Sequence, residues 1–149
     1  MTISFGCDHG GFPYKEAVLK HLKEKGYEVL DFGTFSTESC HYPEFAFPAA
    51  EAIRDHKAEK GILICSSGEG VSMCANKVKG IRCGIGYDDD VSHLIVEHNH
   101  AQMIAFGAKF MKLEDVLRRI DIFLEAKPLE GRHDIRVAEI DKYDQEHQK

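Results

Sequence analysis

The stretch from Gly61 to Asn76 constrains the chain more than any other. An apolar run, Ile62-Leu63-Ile64, opens into Cys65-Ser66-Ser67-Gly68-Glu69-Gly70 and then into a segment of helical character, Val71 to Asn76. A short apolar run, small residues and a helix make a strand–loop–helix unit, whose loop amides and helix dipole favour an anion. The substrate is expected there. Cys65 falls at the strand end, beside a helix N-terminus that favours a thiolate, and is a candidate reactive group. The alternative is a buried apolar cysteine in a mere connection. Other phosphate motifs do not fit the spacing. Gly68-Glu69-Gly70-Val71-Ser72-Met73 lacks the third glycine of a dinucleotide fingerprint, and no Gly-Lys-Ser/Thr of a nucleotide P-loop occurs. Val71 stands where a cysteine phosphatase would want arginine.

Units of the same kind flank this stretch. Ile3 to Cys7 reads as a buried strand followed by the loop Asp8-His9-Gly10-Gly11, and Pro13 suits the first turn of a helix that carries Tyr14, Val18 and Leu22 and ends at Gly26. Tyr27 to Phe32 is the second strand, and Gly33 to His41 is polar and turn-like. Tyr42-Pro43 leads into a helix through Ala49, Ala50 and Ile53, whose regular part is expected to begin only at Pro48. Ile81 to Gly86 supplies a fourth strand and Gln102 to Ala105 a fifth. Between them Asp88, Asp89 and Asp90 open a helix with Val91, Leu94 and Ile95 inward; three acids in a first turn read as a capped helix start rather than a metal site. Val116, Leu117, Ile120, Phe123 and Leu124 form the clearest helical stripe.

Five strands alternating with helices predict an α/β fold: a three-layer α/β/α Rossmann-like domain on a five-stranded, mainly parallel sheet, with ligands at the carboxyl ends of the strands. Asp8-His9, the loop from Cys65 to Gly70 and the segment near His98 are expected to converge there. At 149 residues and 43% hydrophobic content, with no repeat or linker, residues 1–149 make one domain. A C-terminal helical extension, residues 128–149, holds Ile135, Ala138 and Ile140. Arg132 and Arg136, four apart, share a helix face and suit a phosphate through paired donors; a solvated charged face is the plainer reading.

A net charge of −6 and a pI near 5.8 argue against general binding to nucleic acid or to anionic membranes, so any anion site must be local. No apolar run reaches spanning length and the N-terminus has no basic flank, so the protein reads as cytoplasmic and without a membrane partner. Cysteines 7, 40, 65, 74 and 83 are odd in number, contain no C-x-x-C and fit free thiols. His98-Asn99-His100 could suggest a metal pair, but no third ligand stands at a familiar spacing, and no metal or other cofactor is expected. His98 better suits a proton carrier at a helix end, since histidine titrates near neutrality.

Taken in order, Asp8-His9-Gly10-Gly11, Tyr42-Pro43, Cys65-Ser66-Ser67-Gly68-Glu69-Gly70 with Ala75-Asn76-Lys77, Gly80-Ile81-Arg82, His98-Asn99-His100-Ala101, Phe106-Gly107-Ala108-Lys109 and Gly131-Arg132-His133 resemble the type B ribose-5-phosphate isomerase family, which includes the allose- and galactose-6-phosphate isomerases. The resemblance implies a metal-free aldose–ketose isomerase of phosphorylated sugars that works through a cis-enediolate. It implies a homodimer with active sites shared between subunits, and leaves open whether dimers pair into tetramers. By the same resemblance Cys65 is the base between C1 and C2, and Ser67, where threonine is usual, polarises the thiol or substrate. Ser66, Gly68, Glu69 and Gly70 hold the enediolate oxygen; His98 opens the sugar ring, with Asn99 beside it; Asp8 binds sugar hydroxyls. Tyr42 joins them in binding substrate, and His9 holds the phosphate with Arg132 and Arg136 of the partner subunit. A second branch of the family uses a carboxylate one position after the last loop glycine; Val71 stands there, so Cys65 keeps the role.

Local departures bear on which sugar is accepted. The first motif more often reads Asp-His-Ala-Gly and the loop Cys-Gly-Thr-Gly, so Gly10, Ser66 and Ser67 differ; Lys109 stands for a phosphate-binding arginine and His41 for an aspartate. D-Ribose 5-phosphate to D-ribulose 5-phosphate is the first expectation, with allose or galactose 6-phosphate or a tetrose phosphate as alternatives. The competing class is a flavodoxin-like module that binds a phosphate without chemistry, against which stands the lack of aromatic residues around the loop.

Overall fold

The computed structural model describes residues 1–147. The last two residues of the expected C-terminal segment, 148 and 149, lie outside the described residues. Strands β1 (Thr2–Cys7), β2 (Glu28–Asp31), β3 (Lys60–Cys65), β4 (Cys83–Ile85) and β5 (Met103–Gly107) form one sheet in the order β2-β1-β3-β5-β4, and every pairing is parallel. Helices α1 (Phe12–Glu24), α2 (Pro43–Arg54), α3 (Glu69–Lys77), α4 (Asp89–Glu97) and α5 (Leu113–Glu125) connect or follow the strands, and α6 (Arg132–His147) ends the described chain. The domain is the expected three-layer α/β/α sandwich.

Period-two alternation along the strands assigns each residue to a layer. Ile3, Phe5, Ile62, Ile64, Ile104 and Phe106 face α1, α4 and α5, where Leu22, Val96, Ile120 and Phe123 complete a buried cluster. Leu63, Cys65, Met103 and Ala105 face the other way, onto α2 and α3. The contact surface of α2 is alanine-rich, so this helix approaches the sheet closely, and Ser4 Oγ donates to the Ala49 carbonyl at 2.9 Å.

The strand order carries the one feature that chain order does not suggest. After β3 the chain crosses to the far edge, lays down β4, and returns through α4 to place β5 between them. The side chains agree with this: Met103, Ile104, Ala105 and Phe106 are wholly buried, as an interior strand requires, whereas the three residues of β4 are only half-buried and suit an edge. Boundaries shift accordingly. β5 runs on through Gly107, β4 is shorter than Ile81–Gly86, and β2 is shorter than Tyr27–Phe32.

α2 corrects the expectation for Pro48. The helix begins at Pro43, and Pro48 lies inside it, within the second turn. There proline removes a single N–H, the donor to the Glu44 carbonyl, and packing of the alanine face against β1 and β3 outweighs that loss.

α4 matters for function because it carries His98 at its C-terminal end. Its start is held as the sequence suggests: Asp88 is extended, and its carboxylate accepts the N–H groups of Asp90 at 3.0 Å and Val91 at 3.3 Å. Asp88→Ala should therefore cost about 1 kcal/mol, read as a fall in Tm of roughly 2–4 °C by thermal unfolding. An unchanged Tm would mean that the cap is energetically idle.

Candidate active site

The turn after β3 has an unusual path that the sequence makes possible. Gly68 precedes α3 with φ +83°, a left-handed conformation that side chains resist, and its α-carbon lies close against the backbone of Phe106 and Gly107. The loop is thus clamped onto the end of β5, with Ala108 N–H donating to the Cys65 carbonyl at 2.9 Å and Lys109 N–H to the Ser66 carbonyl at 3.1 Å. Cys65 stands level with Gly107 in the β3–β5 register and is 5% exposed. The folded-back turn aims the N–H of Gly68 at its sulfur, 3.1 Å away. Ser67 Oγ accepts the N–H of Glu69 at 3.1 Å, and the first bond of the helix is Ser72 N–H to the Gly68 carbonyl, so the amides of Gly70 and Val71 point out of the helix end.

Other candidates gather around this turn. Tyr42, at the start of α2, lays its ring against Gly70, where a β-carbon would collide with it. Asp8 follows β1; its Oδ1 accepts the N–H groups of Gly10 at 2.9 Å and Gly11 at 3.2 Å, while Oδ2 accepts nothing from the described residues. His9 Nδ1 accepts the Cys40 N–H at 3.2 Å, with Cys40 Sγ 3.7 Å away. A ring nitrogen that accepts cannot carry the proton, so in the neutral ring Nε2 carries it and faces outward as a donor. Lys109 is exposed and joined to the loop through its backbone. Desolvation of the sulfur disfavours the thiolate at three of the other cysteines: Cys7 is pushed up to about 12, the thiol of half-buried Cys83 is also pushed up, and Cys74 is raised by burial and by its neighbour Cys65.

His98, Asn99, Arg132 and Arg136 lie elsewhere, which corrects the expectation that His98 converges on Cys65 in the same chain. The reason is topological. α4 runs against the strands and delivers His98 to the amino-terminal edge of the sheet, before β5 begins, whereas Cys65 lies at the carboxyl edge; roughly 13 Å of strand, Gly61 to Cys65, separates the two edges. At this second edge α6 docks. The rings of His98 and His133 stack with centroids 4.3 Å apart and planes 6° from parallel, and His100 Nε2 bonds the Leu129 carbonyl at 2.9 Å. Arg82 joins the two segments, donating to the carbonyls of Asn99 and His100 and pairing with Asp141 of α6 at 2.7 Å. Arg132 and Arg136 remain exposed on the outer face of α6. Sequence reading gave no role to His133, Arg82, Asp141 or Cys40; Arg82 and His133 stood in the Gly-Ile-Arg and Gly-Arg-His motifs, but nothing local marks a histidine whose stacking partner lies 35 residues away.

The chain matches the family model for ribose/galactose isomerases over residues 3–140. It is 40% identical over 143 residues to ribose-5-phosphate isomerase B of Escherichia coli K12, covering 96% of each chain. It is 39% identical over 127 residues to the galactose-6-phosphate isomerase subunit LacB of Clostridium acetobutylicum, covering 85% of this chain and 73% of that protein. Among solved structures, ribose-5-phosphate isomerase B of Clostridium thermocellum superposes with a TM-score of 0.97 at 38% identity, covering 99% of this chain and all of that one. The chain belongs to this family of aldose–ketose isomerases. The match is to sugar-phosphate isomerases, and the flavodoxin-like module gains no support.

The surroundings of His133 bear on how stability depends on pH. Burial, then the neighbouring His98, Arg132, Arg136 and His100, hold the His133 imidazole below the ordinary histidine value. The folded state thus prefers the neutral ring, so the stability contribution is complete above the unfolded value of about 6.5 and is lost as pH falls through the lower folded value. His133→Phe, which keeps a flat buried ring, should flatten the decline of Tm between pH 7 and 5. A decline as steep as the parent's would place its origin in other groups.

Proposed function

We propose that this isomerase interconverts D-ribose 5-phosphate and D-ribulose 5-phosphate through a cis-enediolate, with Cys65 as the base that carries the proton between C1 and C2. The observation that carries the reading is the turn at Cys65: a thiol at a strand end, an N–H 3.1 Å from its sulfur, and outward-pointing helix amides beside it. Removing a proton next to a carbonyl requires both a base and donors aimed at the oxygen where charge develops. Here one backbone turn supplies both, so their relative position is set before substrate arrives. Ser66, Ser67, Gly68, Glu69 and Gly70 form the cradle, Tyr42 walls it, Asp8 offers Oδ2 to sugar hydroxyls, and Nε2 of His9 donates to the phosphate. Lys109 supplies a further positive charge where the family more often has arginine.

Identities of 40% and 39% to relatives named for ribose 5-phosphate and galactose 6-phosphate leave the pentose first and hexose or tetrose phosphates as runners-up. A panel of phosphorylated aldoses and ketoses in deuterated water decides between them, because label entering at C1 or C2 reports the chemistry and the substrate together. All five thiols are free, in keeping with a cytoplasmic enzyme. Cys65→Ala should lower turnover by about 10²–10⁴-fold with the fold intact by circular dichroism. Near-normal turnover would remove Cys65 from the role of base.

The ring-opening acid His98, its neighbour Asn99 and the phosphate clamp Arg132–Arg136 complete the site only if they come from a second copy, since each chain holds them at the wrong edge for its own Cys65. A homodimer with two shared sites follows. Support comes from α6, which leaves Ile135, Ile140 and Tyr143 exposed, more apolar surface than a helix end facing water warrants. Phosphate binding energy positions the reacting carbons, so loss of the clamp lowers turnover as well as affinity. Mixing a Cys65→Ala chain with an Arg132→Ala/Arg136→Ala chain, each inactive alone, should restore one intact site per mixed dimer. Subunit exchange confirmed by mass without recovered activity would defeat the shared site.

A further inference from the structure

The loops after β1 and β3 leave neighbouring strands and meet at Gly10 and Ser66. Gly10 lies outside the left-handed region, so its backbone does not demand glycine. Space does. A β-carbon on Gly10 would overlap Ser66 Oγ and stand 2.9 Å from the Ser66 backbone nitrogen, closer than side chains tolerate. Asp8 Oδ1 lies 3.2 Å from the same point, so the carboxylate and the Ser66 hydroxyl both border the space that the missing side chain leaves. Ser66 is exposed, and its hydroxyl makes no hydrogen bond to the described residues, so both its donor and its acceptor are open to a ligand.

We propose that Gly10 and Ser66 are a steric couple: the missing side chain at 10 admits the Ser66 hydroxyl into the wall between the two loops, where with Asp8 it reads a sugar hydroxyl and sets which sugar phosphate is accepted. The selectivity half rests on the function proposed above; the steric half does not. Two departures of this chain from the usual motifs thereby become one linked change. Glycine at 66 would remove the nearer overlap, with the hydroxyl, and leave the contact with the backbone nitrogen.

The test has two arms. In the first, Tm is measured for the unliganded protein in a double-mutant cycle. Gly10→Ala should lower Tm by about 3–10 °C, and adding Ser66→Gly should return the part of that loss owed to the hydroxyl, while Ser66→Gly alone moves Tm by less than about 3 °C. A double variant as unstable as the two single effects added together would overturn the couple. In the second, Ser66→Ala keeps the β-carbon and removes only the hydroxyl, and kcat/KM is compared for D-ribose 5-phosphate and its C3 epimer D-xylose 5-phosphate. The ratio should fall about five-fold. Equal loss on both substrates, or no change, would overturn the selectivity role while leaving the isomerase reading intact. A parent protein inactive on every phosphorylated sugar would instead defeat the isomerase reading and the selectivity role together, with the thermal cycle still deciding the couple.

Discussion

A parallel sheet has two unlike edges, and that single constraint organises this protein. Because all five strands run the same way, every strand-to-helix turn emerges at the carboxyl edge and each of α1 to α5 ends at the amino edge. Turns that begin helices expose N–H groups and favour anions; helix ends expose carbonyls and favour cations and proton donors. Asp8, Cys65 and the amides of the α3 start occupy the first edge, and His98, at the end of α4, occupies the second. Arg132 and Arg136 stand beside it in the first turns of α6, placed there by the docking of that helix and not by its dipole.

The β3–β5 register turns that general property into a reactive geometry. With Cys65 opposite Gly107, the loop from Ser66 to Gly68 has a backbone surface to lie against, and a left-handed Gly68 lets it fold back until its own N–H reaches the sulfur. On its way back to β5 the chain leaves α4 through the loop from His98 to His100, at the amino edge of the sheet. α6 can then grip that loop through a stacked histidine pair and Arg82. His98 and the start of α6 are thus one mechanical unit, as Cys65 and the amides of its turn are another.

α6 projects beyond the core that the sheet and the other helices form. His133 and Val137 are its buried positions, and most of the rest of its surface faces outward, including Ile135, Ile140 and Tyr143.

The sequence by itself determined the local physics. Apolar periodicity placed five strands and the helices, Asp88 announced a cap, and the small residues after Ile64 announced a strand-to-helix turn with a thiol in it, because each of these depends on neighbours within a few residues. Ordered motifs identified the family, which the match over residues 3–140 bears out. Only the tertiary structure decided the swap of β4 and β5, the continuation of α2 through Pro48, the separation of His98 from Cys65, and the meeting of Gly10 with Ser66. Each of these depends on contacts between residues far apart in the chain, where packing outweighs local preference. Pattern tells which residues can form a strand or a turn; which edge of the sheet a side chain finally occupies depends on how those elements are ordered in space.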